Sequence, residues 1–85
     1  NVIDYIQVSD ELRVLEIGVT PSWAGKTLID LDFRKKYGVN VIAIKNRAGK
    51  INTTPRGIDI LNPDDLLIVV GQTDEIARIE KVADK

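Results

Sequence analysis

The sequence predicts an α+β fold in which a small sheet of about four to five strands, opened by an N-terminal hairpin, carries two helices. Three observations predict it. Apolar, β-branched runs of strand length open the chain and recur at residues 39–44 and 66–71. Segments beginning near Leu28 and Thr73 combine helix-start signals with apolar residues three and four apart. Clusters of Gly, Pro, Asn and Asp separate these stretches.

Residues 4–8 and 12–19 read as a hairpin around the turn Ser9-Asp10-Glu11. In the second strand Leu15, Ile17 and Val19 share one face with Arg13, and Leu12, Val14 and Glu16 share the other, so the strand is expected to be mostly buried. Pro21 and Gly25 bracket a loop. Thr27-Leu28-Ile29-Asp30 then has capping-box spacing, and a single helix is expected to run from Leu28, with Leu28 and Leu31 on one stripe and Ile29 and Phe33 on the next. Lys35 and Lys36 suit its C-terminal end, and Gly38 supplies a left-handed cap. Residues 39–44 read as a strand covered on both faces, with Asn40 the polar anomaly at its start. Residues 46–50 form a glycine-containing hairpin loop into a short strand at 50–53. Residues 54–59 are a loop, Asn62-Pro63-Asp64-Asp65 is a turn, and residues 66–71 are another buried strand. Thr73 is expected to cap the last helix, whose apolar stripe is Ile76, Ile79 and Val82.

The 85 residues have room for one domain, and a domain of this size buries only roughly 60–65% of its unfolded surface, so help from a partner chain is expected. Hydrophobic residues make up 44% and charged residues 29%, the balance of an ordinary folded domain. The formal net charge of −1 provides no global field for nucleic acid, so no DNA or RNA partner is expected. No apolar run approaches the ~20 residues that span a bilayer, and no secretory leader is visible, so the domain is expected to be cytoplasmic without direct membrane insertion. The absence of Cys and His removes thiolate nucleophiles, the commonest general base at neutral pH and the usual metal ligands. Neither an enzyme nor a metal site is expected. The missing initiator Met is read as the mark of a piece excised from a longer protein.

The succession Gly25-Lys26-Thr27-Leu28, Leu31, Phe33-Arg34, Tyr37-Gly38-Val39, Val41-Ile42-Ala43-Ile44, Pro55 and Asp65-Leu66-Leu67-Ile68-Val69-Val70-Gly71 resembles the TrkA C-terminal domain, or RCK C-lobe. The resemblance spans roughly residues 12–82 and is greatest to the regulatory subunits of Ktr-type potassium uptake systems. It departs at residues 62–65, where the family commonly has a glycine before the acidic residue. It implies a cytosolic lobe that homodimerises, is peripheral to the membrane through a potassium-channel subunit, and follows a Rossmann-like nucleotide-binding lobe. Residues 1–85 would then be one regulatory domain with no cofactor of its own, and cyclic di-AMP would be its regulatory ligand between two lobes.

The resemblance assigns ligand roles to Leu28, Ile29, Asp32, Arg34, Asn40, Val41, Ile42 and Pro55. A guanidinium at Arg34 suits a phosphate because its planar fork makes paired, charge-assisted bonds. The plainer reading is a solvated charge or an ion pair with Asp30. Leu28, Ile29, Ile42 and Pro55 would give an adenine ring flat apolar cover, and core packing explains Leu28 and Ile42 equally well. Asn40 either offers polar groups to a base edge or bonds its own backbone as a connector. Asp32 beside phosphates is unfavourable unless it orients Arg34 or meets an amine. Two readings from other classes stand beside the ligand receptor: a structural dimerisation lobe that binds nothing, and a sensor of an amino acid or ion.

Overall fold

The computed structural model of the protein describes residues 2–83. Its elements are β1 (Val2–Gln7), β2 (Leu12–Gly18), α1 (Leu28–Leu31), α2 (Phe33–Tyr37), β3 (Asn40–Lys45), β4 (Ile51–Asn52), β5 (Leu66–Gln72) and α3 (Thr73–Ala83). The strands form one open antiparallel sheet in the order β1-β2-β5-β3-β4, as the α+β reading requires. Among the described residues no helix is long and apolar enough to cross a membrane.

The N-terminal hairpin turns at Ser9, whose hydroxyl accepts from the backbone N–H groups of Glu11 and Leu12. The second hairpin turns at Gly49, at φ 86°, with Asn46 Oδ1 accepting from Lys50 N. A left-handed φ of this kind costs glycine little because it has no Cβ. At residues 62–65 the turn closes through the buried Asp65, whose carboxylate accepts from Asn62 N at 2.9 Å.

Alternation in β2 places Leu15 and Ile17 in the core, where they meet Leu67 and Val69 of β5 and the helices. Ile76 and Ile79 of α3 are completely buried, as their spacing predicts, and Val82 packs against them. Trp23 and Leu61 complete this core from loops that carry no strand or helix periodicity.

Three expectations need correction. Strands β3 and β5 are not covered on both faces: Leu67 and Val69 are buried, but Leu66, Ile68 and Val70 are half-buried, and Ile42 is 43% exposed. The helices all serve one face of the sheet, so continuous apolar runs reflect one covered face and one partly open one. Thr73 does not cap α3 through its hydroxyl, which donates instead to Asp10 O and ties the helix to the first hairpin. The backbone N–H ahead of the helix, on Gln72, is taken by Glu75 Oε1.

The third correction concerns the helix expected to continue from Leu28. It is two short helices broken at Asp32, which sits at φ 47° and ψ 60° and serves as C-cap of α1 and N-cap of α2. In one uninterrupted helix residues two apart point roughly 200° away from each other. Leu31 and Phe33 are nevertheless both buried, and the break at Asp32 is what turns both inward. Aspartate tolerates the left-handed region better than most residues, and Asp32 Oδ1 also accepts from Lys35 N at 3.4 Å. Asp32→Asn is expected to be nearly neutral, whereas Asp32→Ala should lose both the cap and the conformational tolerance, at about 1–3 kcal/mol in urea unfolding. Equal stability of the two variants would contradict this role.

Candidate functional site

The break at Asp32 separates the two walls of a cleft of about 370 Å³. The first wall is apolar. Helix α1 starts at Thr27, whose hydroxyl accepts from Asp30 N as the capping spacing predicts. A short helix leaves most of its backbone donors without intrahelical partners, and two are taken by the facing loop: Leu28 N donates to Asp59 O and Ile29 N to Gly57 O. This joins α1 to residues 55–59. A Cβ on Gly57 would stand 3.3 Å from Ile29 Cβ, tighter than an ordinary contact, so a larger residue there would require Ile29 to give by a few tenths of an ångström. The loop is braced from behind by Asp59, whose carboxylate accepts from Arg56 N at 2.8 Å and from Asn52 Nδ2 at 3.2 Å. Leu28, Ile29 and Pro55 thus present one wall, with Ile29 69% exposed.

The second wall is polar. Arg34 projects from α2, Gly38 reverses the chain at φ 73°, and Asn40 opens β3. Arg34 Nε donates to Asn40 Oδ1 at 2.8 Å. Of the plainer readings, the solvated charge is compatible with Arg34, which is exposed, whereas among the described residues no ion pair joins it to Asp30, and the Asn40 side chain bonds Arg34 rather than its own backbone. Beneath them Phe33 and Val39, both buried, form the floor.

Seven of the eight residues singled out from the sequence line this one cleft: Leu28, Ile29, Asp32, Arg34, Asn40, Val41 and Pro55. The eighth, Ile42, is not brought to it; it lies in the register irregularity of β3 between Val41 and Ala43. Asp32 lines the cleft, with its carboxylate turned to the cap of α2. Sequence reading missed Phe33, Val39, Arg56 and Gly57 as lining residues. Adjacency to Pro55 was the available signal for Arg56 and Gly57. Arg56 is a second guanidinium at the rim, 72% exposed and 3.7 Å from Asp59.

Apolar cover opposite a guanidinium suits a ligand with a flat apolar part and an anionic part. A wider cleft of about 560 Å³ lies behind the same loop, lined in part by Ile44, Lys50, Ile51, Asn52 and Thr54. Its Asn46 and Asn52 side chains are engaged in turn and loop bonds, so it offers fewer convergent polar groups. Among the described residues no group of three or more His, Cys, Asp or Glu could hold a metal ion.

The chain is 42% identical over 81 residues to Ktr system potassium uptake protein C of Bacillus subtilis (strain 168), covering 95% of this chain and 36% of that protein. It therefore spans little more than a third of the relative's length. It is similar to the RCK (regulator of conductance of K+) C domain of the potassium transport protein KtrA in complex with cyclic diadenosine monophosphate, at 38% identity and a TM-score of 0.73. That similarity covers 80% of this chain and 79% of the other. The RCK domain of GsuK matches at 28% identity and a TM-score of 0.81, over 96% of this chain and 18% of that one. The TrkA-C family model matches residues 12–84, nearly everything from β2 onward, and the chain belongs to the TrkA-C domain family.

Proposed function

We propose that this domain is the cyclic di-AMP receptor of a potassium-uptake regulator, taking the dinucleotide between two copies of the cleft related by a two-fold axis. The observation that carries the reading is the pairing, across one cleft, of the exposed Ile29 with the Arg34 guanidinium held at Nε by Asn40. The KtrA domain described in complex with cyclic diadenosine monophosphate supports it. The ligand and a C2 dimer share the same symmetry, so one Arg34 per chain supplies one guanidinium for each of the two phosphates. Leu28, Ile29 and Pro55 cover the bases, and Val41 lies beside them on β3. In the parent protein this lobe follows a nucleotide-binding lobe and acts on a membrane potassium-channel subunit from the cytoplasm. Ligand binding regulates that partner only if affinity differs between two arrangements of the lobes.

Calorimetric titration of the domain with cyclic di-AMP tests the reading. One ligand per two chains is expected, and Arg34→Ala should weaken binding by at least about tenfold, the loss typical of a charged hydrogen-bonding partner. No heat with the wild-type domain, or unchanged affinity in the variant, would sink it. A purely structural dimerisation lobe predicts the first of those failures.

A further inference from the structure

Glycine stands at position 38 for two separable reasons. One is conformational: the residue caps α2 at φ 73° and ψ 15°, and its N–H donates to Arg34 O at 2.9 Å. That requirement alone admits asparagine, which tolerates the left-handed region. The other reason is steric. Glu75 Oε2, from the first turn of α3, occupies the place that a Cβ on Gly38 would take, and Glu75 Cδ would lie 2.6 Å from that Cβ. The Glu75 side chain is 24% exposed and is held by its own helix, since Oε1 accepts from Gln72 N at 3.3 Å in the reach-back of a capping box. Its pairing with the exposed Arg78 spans 4.0 Å and contributes little. Helix α3 is itself seated by the completely buried Ile76 and Ile79 and by the bonds of Thr73 to Asp10 O and Glu11 O.

We infer that Glu75 is a positioning residue for the cleft: its carboxylate, packed against the bare Cα of Gly38, fixes the reversal between α2 and β3 and so the placement of Arg34 relative to Asn40. This rests on the dinucleotide reading of the cleft, yet Glu75 lies outside the cleft lining and acts only through the backbone. Arg34 stands four residues before Gly38 and Asn40 two after it, so any change of φ or ψ at the reversal re-aims one against the other. A helix as short as α2 does not resist such a change by itself. A joint supplied by α3 removes the freedom before the ligand arrives, which is the advantage of preorganisation.

Packing, charge and general stability are separated by four variants. Glu75→Gln keeps the shape and the acceptor for Gln72 N and should bind cyclic di-AMP within about twofold of the wild type. Glu75→Ala empties the space against Gly38 and should weaken binding about fivefold. Thr73→Val removes the bond to Asp10 O at the same end of α3; it should lower the urea midpoint but leave affinity within about twofold. Gly38→Asn satisfies the left-handed backbone but meets Glu75, and should weaken binding about tenfold; adding Glu75→Ala should recover part of that loss, so the double variant binds more tightly than Gly38→Asn alone. In the unliganded domain, exchange of the Gly38 N–H should be faster in Glu75→Ala than in Glu75→Gln or Thr73→Val, as local opening of the reversal requires. Equal losses of affinity in Glu75→Ala and Thr73→Val overturn the inference, as does a Gly38→Asn defect that Glu75→Ala does not relieve. Glu75→Gln as weak as Glu75→Ala also overturns it, because charge and not packing would then be the link. A wild-type domain that binds no cyclic di-AMP overturns the dinucleotide reading, while the exchange measurement still decides whether Glu75 fixes the reversal.

Discussion

Phe33→Ala is expected to lower the unfolding free energy by about 3–5 kcal/mol, the cost of truncating a buried aromatic ring. Phe33 is 4% exposed and meets Trp23 edge-on, with ring centroids 5.1 Å apart, and Tyr37 at 5.9 Å. An edge-to-face pair adds about 0.5–1.5 kcal/mol beyond the area it buries. The loss should also reach the cleft. Helix α2 has five residues and is too short to hold itself by backbone bonds alone, so the Phe33 anchor is what seats Arg34. Truncation should therefore weaken cyclic di-AMP binding even at temperatures where the variant remains folded. Phe33→Leu keeps most of the apolar contact and should cost clearly less in urea unfolding. A Phe33→Ala loss below about 1 kcal/mol would show that the ring is not a central anchor.

The parts of the fold that rest on short-range regularity were legible in the sequence. Alternation in β2, the Thr27 cap, the left-handed Gly38 and the Ile76–Ile79 stripe all express local geometry, and the structure contains each of them. What could not be read depends on tertiary placement. Helical spacing over residues 28–36 gives no sign of the interruption at Asp32, because the need to bury both Leu31 and Phe33 arises only once the core exists. The apolar run of β3 looks the same whether one face or two are covered. Its irregularity at Ile42 is a matter of register with β5, so a residue with the right chemistry was left outside the cleft. The cleft itself was legible chiefly through resemblance. Periodicity does not reveal that a loop at residues 55–57 returns to α1, nor that Arg34 and Asn40 bond across the Gly38 reversal.

Gly71→Ala is expected to destabilise the domain by about 1–3 kcal/mol, although alanine is the smallest side chain that could replace glycine. Gly71 stands in β5 beside the covered face, and a Cβ there would lie 2.9 Å from Val39 Cγ1 and 3.6 Å from Ile76 Cδ1. Val39 and Ile76 are completely buried, and a β-branched valine has little rotamer freedom with which to retreat. The backbone carrying Val39 must shift instead. That backbone lies between Gly38 and Asn40, so the displacement would move the side chain that holds Arg34. Gly71→Ala should thus weaken cyclic di-AMP binding as well, from a position outside the lining of the cleft. Val39→Ala removes the obstructing methyl groups at its own cavity cost. Made together, the two substitutions should cost at least about 1 kcal/mol less than the sum of the single changes, because each relieves the consequence of the other. Strict additivity would place the cost of Gly71→Ala in the strand itself and sever its link to the cleft. Rescue of stability accompanied by rescue of binding would establish that the spacing between β5 and the start of β3 sets the geometry of the Arg34–Asn40 wall.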